Sequence, residues 1–336
     1  MRRLGAKVMT IAIIYHDADF DGKLSNEVCR FWLKRLQADA VVDSYGWDYG
    51  RPLPNNATWE WWAAYDLIYI VDLSVDELMA RRELYSKIVW IDHHKSAIEK
   101  LDALKDHDPD VTLRQPGPLP LRGYRIDGVA ACRLCWQWFT DGGCLDDRLI
   151  PTKQQYIDRV VKEPELLRLA GEYDIWDHRD TNAKVLQFGL RACSKRELND
   201  LVMAQFDGTP EGDGILQNVI EAGRMIKSYC DKQNDEYAAS FATTRVWHGL
   251  TWCVLNIGQR GNSDLLRAAL KPEHDACIAW RHDGTQAYVS LYHAPGKEHL
   301  DLSVIAKAMG GGGHRGACGF RETLTWIARE IYGEGK

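Results

Sequence analysis

Three short apolar runs in the first 110 residues each end in a cluster of aspartate or histidine, and this recurrence constrains the fold more than any other feature. Ile11-Ala-Ile-Ile-Tyr15 runs into His16-Asp17-Ala18-Asp19-Phe20-Asp21-Gly22. Leu67–Val71 runs into Asp72-Leu73-Ser74, and Lys87–Ile91 into Asp92-His93-His94. The runs have strand length, and the amphipathic stretches Leu24–Leu36 and Val75–Leu84 read as helices between them, which is the pattern of a parallel sheet with crossover helices. Ligands of such sheets bind beyond the carboxyl ends of the strands. One Asp after a strand is often only a helix N-cap, but capping does not account for three clusters in succession. Several carboxylates gathered at one sheet edge repel one another, and divalent cations resolve the repulsion. Oxygen and imidazole donors without thiolates suit Mn²⁺, Mg²⁺, Fe²⁺ or Zn²⁺ rather than a structural cysteine site. Two ions about 3.5–4 Å apart, sharing a carboxylate, would turn a water into hydroxide and neutralise a phosphoryl oxygen.

The expected fold class is α/β: a parallel-sheet N-terminal domain with flanking helices over residues 10–200, a linker helix region over 201–241, and a smaller mixed α/β C-terminal domain over 242–336. A loop is expected over residues 107–127, then helical patterns over Gly128–Phe139, Tyr156–Gly171 and the long Ile215–Phe241. Strand-like Val246–Leu255, Ala276–Arg281 and Gln286–Tyr292 follow, with helices at Ser263–Leu270, Leu302–Ala308 and Glu322–Ile331. A formal charge of −6 argues against a broad basic surface gripping long duplex nucleic acid. The apolar runs are too short to span a bilayer, and nine cysteines, an odd number, fit reduced thiols in cytoplasm. Cys132 and Cys135 lie at helical spacing among apolar residues and read as core thiols. Trp59, Trp61 and Trp62 read as a buried helix face rather than base-stacking residues.

Asp19-Phe20-Asp21-Gly22, Asp72, Asp92-His93-His94 and the downstream Gly310-Gly-Gly-Gly-His314-Arg-Gly-Ala-Cys-Gly-Phe320 together resemble the DHH phosphoesterase superfamily, with the match running from about Ile11 to Phe320. The resemblance implies two divalent cations, Mn²⁺ or alternatively Mg²⁺. It places His16 and Asp19 on the first, Asp21 and His93 on the second, and Asp72 between them. The Asp of a fourth motif completes the second site; Tyr173-Asp174-Ile175-Trp176 offers Asp174, with Asp177 as the competing choice. Asp92 is expected to fix an imidazole, as metal-binding histidines require, and His94 to contact phosphate or give a proton to the leaving oxygen. Ser25 caps a helix or reaches the site.

The glycine run has a physical reading of its own: residues without Cβ let backbone N–H groups approach an anion, and His314 and Arg315 add charge-assisted donors. In the family this loop, here Gly311, Gly312, Gly313, His314 and Arg315, holds the substrate across an interdomain cleft from the metals. Two positions depart from the family pattern. His16 stands three residues before Asp19 where several relatives have four, and Ser290-Leu291-Tyr292-His293 stands where members often carry Ser-Leu-Arg. Tyr292 or His293 is then an alternative contact for base or phosphate, or simply a core or surface residue.

Among branches of the superfamily, class II pyrophosphatases use a lysine-rich C-terminal motif, RecJ-type exonucleases need a longer basic channel, and membrane-anchored cyclic-di-AMP phosphodiesterases carry transmembrane helices. The expected activity is therefore hydrolysis of short oligonucleotides to nucleoside 5′-monophosphates, as in oligoribonucleases (nanoRNases), by a hydroxide that two metals activate. A cyclic (di)nucleotide phosphodiesterase and a non-catalytic nucleotide-binding protein are the alternatives. A homodimer stays open.

Overall fold

The computed structural model describes residues 8–106, 121–143, 150–177, 179–258 and 263–333. The chain divides into two compact units, Met1–Arg224 and Met225–Lys336. The first contains β1 (Thr10–His16), α1 (Phe20–Leu36), β2 (Val41–Trp47), α2 (Trp59–Ala63), β3 (Leu67–Val71), α3 (Asp76–Met79), β4 (Ile88–Ile91) and α4 (Lys95–Asp106). Five helices follow: α5 (Ala131–Thr140), α6 (Lys153–Ile157), α7 (Glu165–Asp174), α8 (Thr181–Ala192) and α9 (Lys195–Phe206). The boundary between the units falls within α10 (Pro210–Phe241).

The four strands of the first unit pair in the order β2-β1-β3-β4, all parallel. Side chains alternate across the sheet, so each strand feeds two cores. Ile11, Ile13, Tyr69, Val71, Val89 and Ile91 pack against α1, α5 and α7–α10. Ala12, Ile14, Ile68, Ile70, Ile88 and Trp90 pack against the opposite layer, with Trp62, Leu78 and Leu101. Burial on both faces explains why these strands read as unbroken apolar runs. Ile13 is fully buried, and truncating such a residue to Ala costs about 2–5 kcal/mol. Cys132 and Cys135 are both buried in the first core, as expected. Of the three tryptophans expected on a buried helix face, Trp62 is buried in the second core and Trp59 packs partly buried against it, whereas Trp61 is 39 % exposed.

The second unit holds a six-stranded mixed sheet in the order β5-β6-β7-β8-β10-β9. Its strands are β5 (Thr243–Trp247), β6 (Leu250–Asn256), β7 (Ala276–His282), β8 (Ala287–His293), β9 (Gly312–His314) and β10 (Ala317–Glu322), joined by helices α11 (Ser263–Ala269) and α12 (Ser303–Ala308). Trp252, Ile278, Val289, Leu291 and Phe320 form its main core with Leu302 and Ala306.

Several elements differ from expectation. Val75–Leu84 is two short turns of helix rather than one helix. Tyr156–Gly171 is interrupted, because Pro164 lies just before α7 and fixes a non-helical entry. Val246–Leu255 is a hairpin: His248 and Gly249 both take positive φ, as a two-residue turn between twisted strands requires. Part of the glycine run is a strand, β9, paired antiparallel with β10. The loop expected over residues 107–127 falls mostly outside the described residues. No helix among the described residues is long and apolar enough to cross a membrane.

Candidate metal centre

Each strand of the parallel sheet delivers a side chain to the same carboxyl edge. β1 ends in His16, and the chain turns into α1 through Asp19, whose Oδ1 accepts from the Gly22 amide at 3.1 Å. A Cβ on Gly22 would lie 2.0 Å from the His16 carbonyl oxygen, so the return of α1 onto the end of β1 requires glycine there. Asp21 lies two residues further along, its side chain fully buried, and accepts from the amides of Ala131 (2.8 Å) and Cys132 (2.7 Å). It thereby caps α5, which has no side-chain cap of its own, and the helix N-terminus favours its negative charge.

Asp72 follows β3 in the left-handed region, with φ +63°. This is a costly conformation for a buried non-glycine residue, held here by an amide bond from Asp72 to the Ile91 carbonyl at 2.9 Å. Its carboxylate spans two imidazoles: Oδ2 is 3.4 Å from His16 Nδ1, and Oδ1 is 3.3 Å from His93 Nε2. Around His16 Nδ1 also lies Asp19 Oδ2 at 3.2 Å. Around His93 Nε2 lie Asp21 Oδ2 at 3.5 Å and Asp174 Oδ2 at 3.3 Å.

Asp174 is the last residue of α7. Two residues before it, the buried Glu172 is gripped by Arg159 (2.7 and 2.8 Å) and Arg168 (2.9 Å), which anchors this helix end. The helix stops there, and Trp176 turns to φ +60°. Asp174 and Asp177 therefore do not share a helix face, and Asp177 pairs instead with Arg179 at 2.6 Å. Asp92 is buried; its Oδ1 accepts from the amides of His93 and His94 and from His94 Nδ1 at 2.7 Å. Ser25 is buried in α1, and its hydroxyl has no hydrogen-bond partner.

Charge across this cluster is unbalanced. The Asp19 and Asp72 carboxylates beside its ring raise His16 to about 10 against the cost of burial. Burial opposes protonation of His93, yet Asp72 and Asp21 outweigh it and raise that group to about 10 as well. Burial, with Asp72 nearby, pushes Asp21 upward. Burial, with Asp21 nearby, raises Asp174 to about 7. His16 Nδ1 and Asp72 Oδ1 are buried without hydrogen-bond partners. Unpartnered buried atoms and carboxylates whose pKa is raised both mark a pocket short of positive charge, which divalent cations supply. One donor atom each from His16, Asp19 and Asp72 lies within 4.8 Å of the others, as do donors from Asp21, His93 and Asp174, and from Asp72, His93 and His94. The residues present fit divalent cations.

The edge strand β2 brings a residue that the motifs did not include. Asp48, one position past β2, places Oδ1 3.4 Å from His16 Nε2. The one available signal was an Asp directly after the β-branched and aromatic Val41–Trp47.

In the second unit, Gly311, Gly312 and Gly313 run beside β10. Gly313 takes φ +127°, and a Cβ there would lie 2.6 Å from the Cys318 Cα, so close strand packing and an unusual φ both demand glycine. His314 pairs with Ala317. Arg315 is exposed, its Nη2 donating to the His299 carbonyl at 2.9 Å. Tyr292 is 36 % exposed, and a Cβ on Gly316 would lie 2.0 Å from His293 Nε2, so His293 packs against the hairpin turn.

No family model and no curated protein matches the chain. Solved structures do. A pGpG-specific phosphodiesterase, PggH from Vibrio cholerae, is 15% identical over 97% of each chain, with a TM-score of 0.43. The exonuclease RecJ bound to manganese is 14% identical over 97% of this chain and 90% of its own, with a TM-score of 0.48. The DHH domain of a protein described as a member of a family of ribosomal proteins is 12% identical over 97% of this chain and 85% of its own, with a TM-score of 0.52. The likeness to that DHH domain is one of fold.

Proposed function

We propose that this protein is a metal-dependent phosphodiesterase that hydrolyses very short oligonucleotides from one end and releases nucleoside 5′-monophosphates. The observation that carries the reading is Asp72: one buried carboxylate faces His16 with one oxygen and His93 with the other. His16, Asp19 and Asp72 would hold one divalent cation, and Asp72, Asp21, His93 and Asp174 the other, with Mn²⁺ preferred and Mg²⁺ the alternative. Such ions supply Lewis-acid charge neutralisation at a phosphoryl oxygen and lower the pKa of water.

The chain's own residues do the rest. Asp21 and Asp92 hold their neighbours in place through backbone amides, so the pocket needs little rearrangement when the substrate arrives. The hydrogen bond to Asp92 raises the pKa of His94 against the effect of burial. With Nδ1–H donating to Asp92, Nε2–H can pass its proton to the departing alkoxide. The second unit is assigned to substrate binding. The amides of Gly311, Gly312 and Gly313, with His314 and Arg315, would bind a terminal phosphate through charge-assisted hydrogen bonds.

The test is to incubate the purified protein with Mn²⁺ and, separately, a dinucleotide, a five-mer, cyclic-di-AMP and pyrophosphate. Rapid consumption of the dinucleotide with release of 5′-monophosphates is the expected result. Consumption of cyclic-di-AMP alone would assign the cyclic dinucleotide activity instead. No consumption of any of the four would reject hydrolysis and leave a nucleotide-binding protein.

A further inference from the structure

The two ring nitrogens of His16 face different groups. Nδ1 looks into the pocket, 3.2 Å from Asp19 and 3.4 Å from Asp72, whereas Nε2 lies 3.4 Å from Asp48 Oδ1. His16 and Trp47 are register partners on β1 and β2, and the Asp17 amide donates to the Trp47 carbonyl at 3.2 Å, so Asp48 leaves β2 directly beside the ring. The loop beyond is tied back. Tyr49 donates its amide to Asp48 Oδ1 at 2.8 Å, and its hydroxyl accepts from the Ser74 amide at 3.0 Å, two residues past Asp72.

A neutral imidazole carries one N–H and one lone pair. Carboxylates face both nitrogens, but a cation held between Asp19 and Asp72 would take the Nδ1 lone pair, which leaves the N–H on Nε2, toward Asp48. We propose that Asp48 is a positioning residue for metal binding: it takes the Nε2–H of His16 and directs the Nδ1 lone pair at a divalent cation shared with Asp19 and Asp72. This inference rests on the metal reading given above. Groups that orient a ligating histidine typically contribute about 10- to 100-fold in metal affinity.

The experiment is calorimetric titration of Mn²⁺ into the metal-stripped wild type, Asp48→Ala and Asp48→Asn, with circular dichroism to verify folding. Asp48→Ala should weaken one of two Mn²⁺ equivalents by about 10- to 100-fold and leave the other unchanged. Asp48→Asn keeps an acceptor oxygen for Nε2–H and should bind close to wild type. Equal weakening in both variants would overturn the proposal, since lost charge rather than a lost acceptor would then be the cause. Wild-type affinity in Asp48→Ala would overturn it as well. A wild type that takes up no Mn²⁺ would bring down the metal reading itself, and this inference with it.

Discussion

The pocket of the first unit and the glycine hairpin of the second both carry ionisable side chains, in opposite physical states. Four aspartates of the pocket are held by a second attachment. Asp19 caps α1, Asp21 caps α5, Asp92 takes two amides, and Asp72 is pinned by its own backbone. Asp21, Asp72 and Asp92 are out of water, and the unbalanced charge of the cluster is what calls for cations. His314 and Arg315 are exposed, and the carboxylate nearest Arg315, that of Asp301, lies at the long distance of 3.9 Å from Nε. A solvated guanidinium gains little from such a pair and stays available to an anion. Under the proposed function the two sets would divide the labour: the buried set is built before any ligand arrives, whereas the exposed set would act only once a ligand desolvates it.

That contrast can be tested from its strongest consequence downward. Asp72→Ala removes the one group facing both histidines and should lower turnover of a dinucleotide at saturating Mn²⁺ by about a thousandfold or more, since several kcal/mol of charge stabilisation goes with it. Full activity in that variant would reject the assignment. Arg315→Ala should raise KM for a substrate with a terminal phosphate by about 10- to 100-fold, the worth of a charge-assisted hydrogen bond, while Mn²⁺ affinity stays at the wild-type value. A loss of Mn²⁺ affinity instead would erase the distinction between the two regions.

Adding Mn²⁺ at about 100 times its Kd should stabilise the first unit by about 2.7 kcal/mol. Hydrogen exchange should then show new protection around Asp72 and His93 and none in β9–β10. Gly313→Ala should destabilise the second unit by about 1–3 kcal/mol in urea unfolding, because alanine there adopts an unfavourable φ and meets Cys318.

The smallest effect is a pH dependence confined to the second unit. Burial lowers the pKa of His274. Its Nδ1 accepts from the Lys271 amide at 2.9 Å, and Nε2 lies 2.9 Å from the Thr244 hydroxyl, so the native state uses the neutral ring. The unfolded chain takes up the proton first as pH falls through about 6.5. Stability contributed by the neutral ring is thus present above that value and declines below it. Urea unfolding of the wild type and His274→Gln at pH 7.5 and 5.5 should show the wild type losing more.

The buried parts of this architecture were legible in the sequence for a definite reason. β1, β3 and β4 are covered on both faces, so they appear as apolar runs, and the polar residues that end them stand out. β2 is an edge strand, partly exposed along Val41-Val42-Asp43-Ser44-Tyr45-Gly46-Trp47, and its mixed composition hid both the strand and Asp48. Asp174 and Asp177 could not be separated by spacing alone, because the choice depends on where α7 ends. The glycine run was recognisable as a place where backbone approaches closely. The partner proved to include β10, and a strand pairing of that kind is a long-range event that a local pattern does not encode.

The most direct test of the shared-carboxylate claim is anomalous diffraction from crystals soaked in Mn²⁺. Two peaks are expected on either side of Asp72, one beside His16 and Asp19 and the other beside Asp21, His93 and Asp174. An empty pocket at saturating Mn²⁺, or a single ion that Asp72 does not touch, would contradict the account.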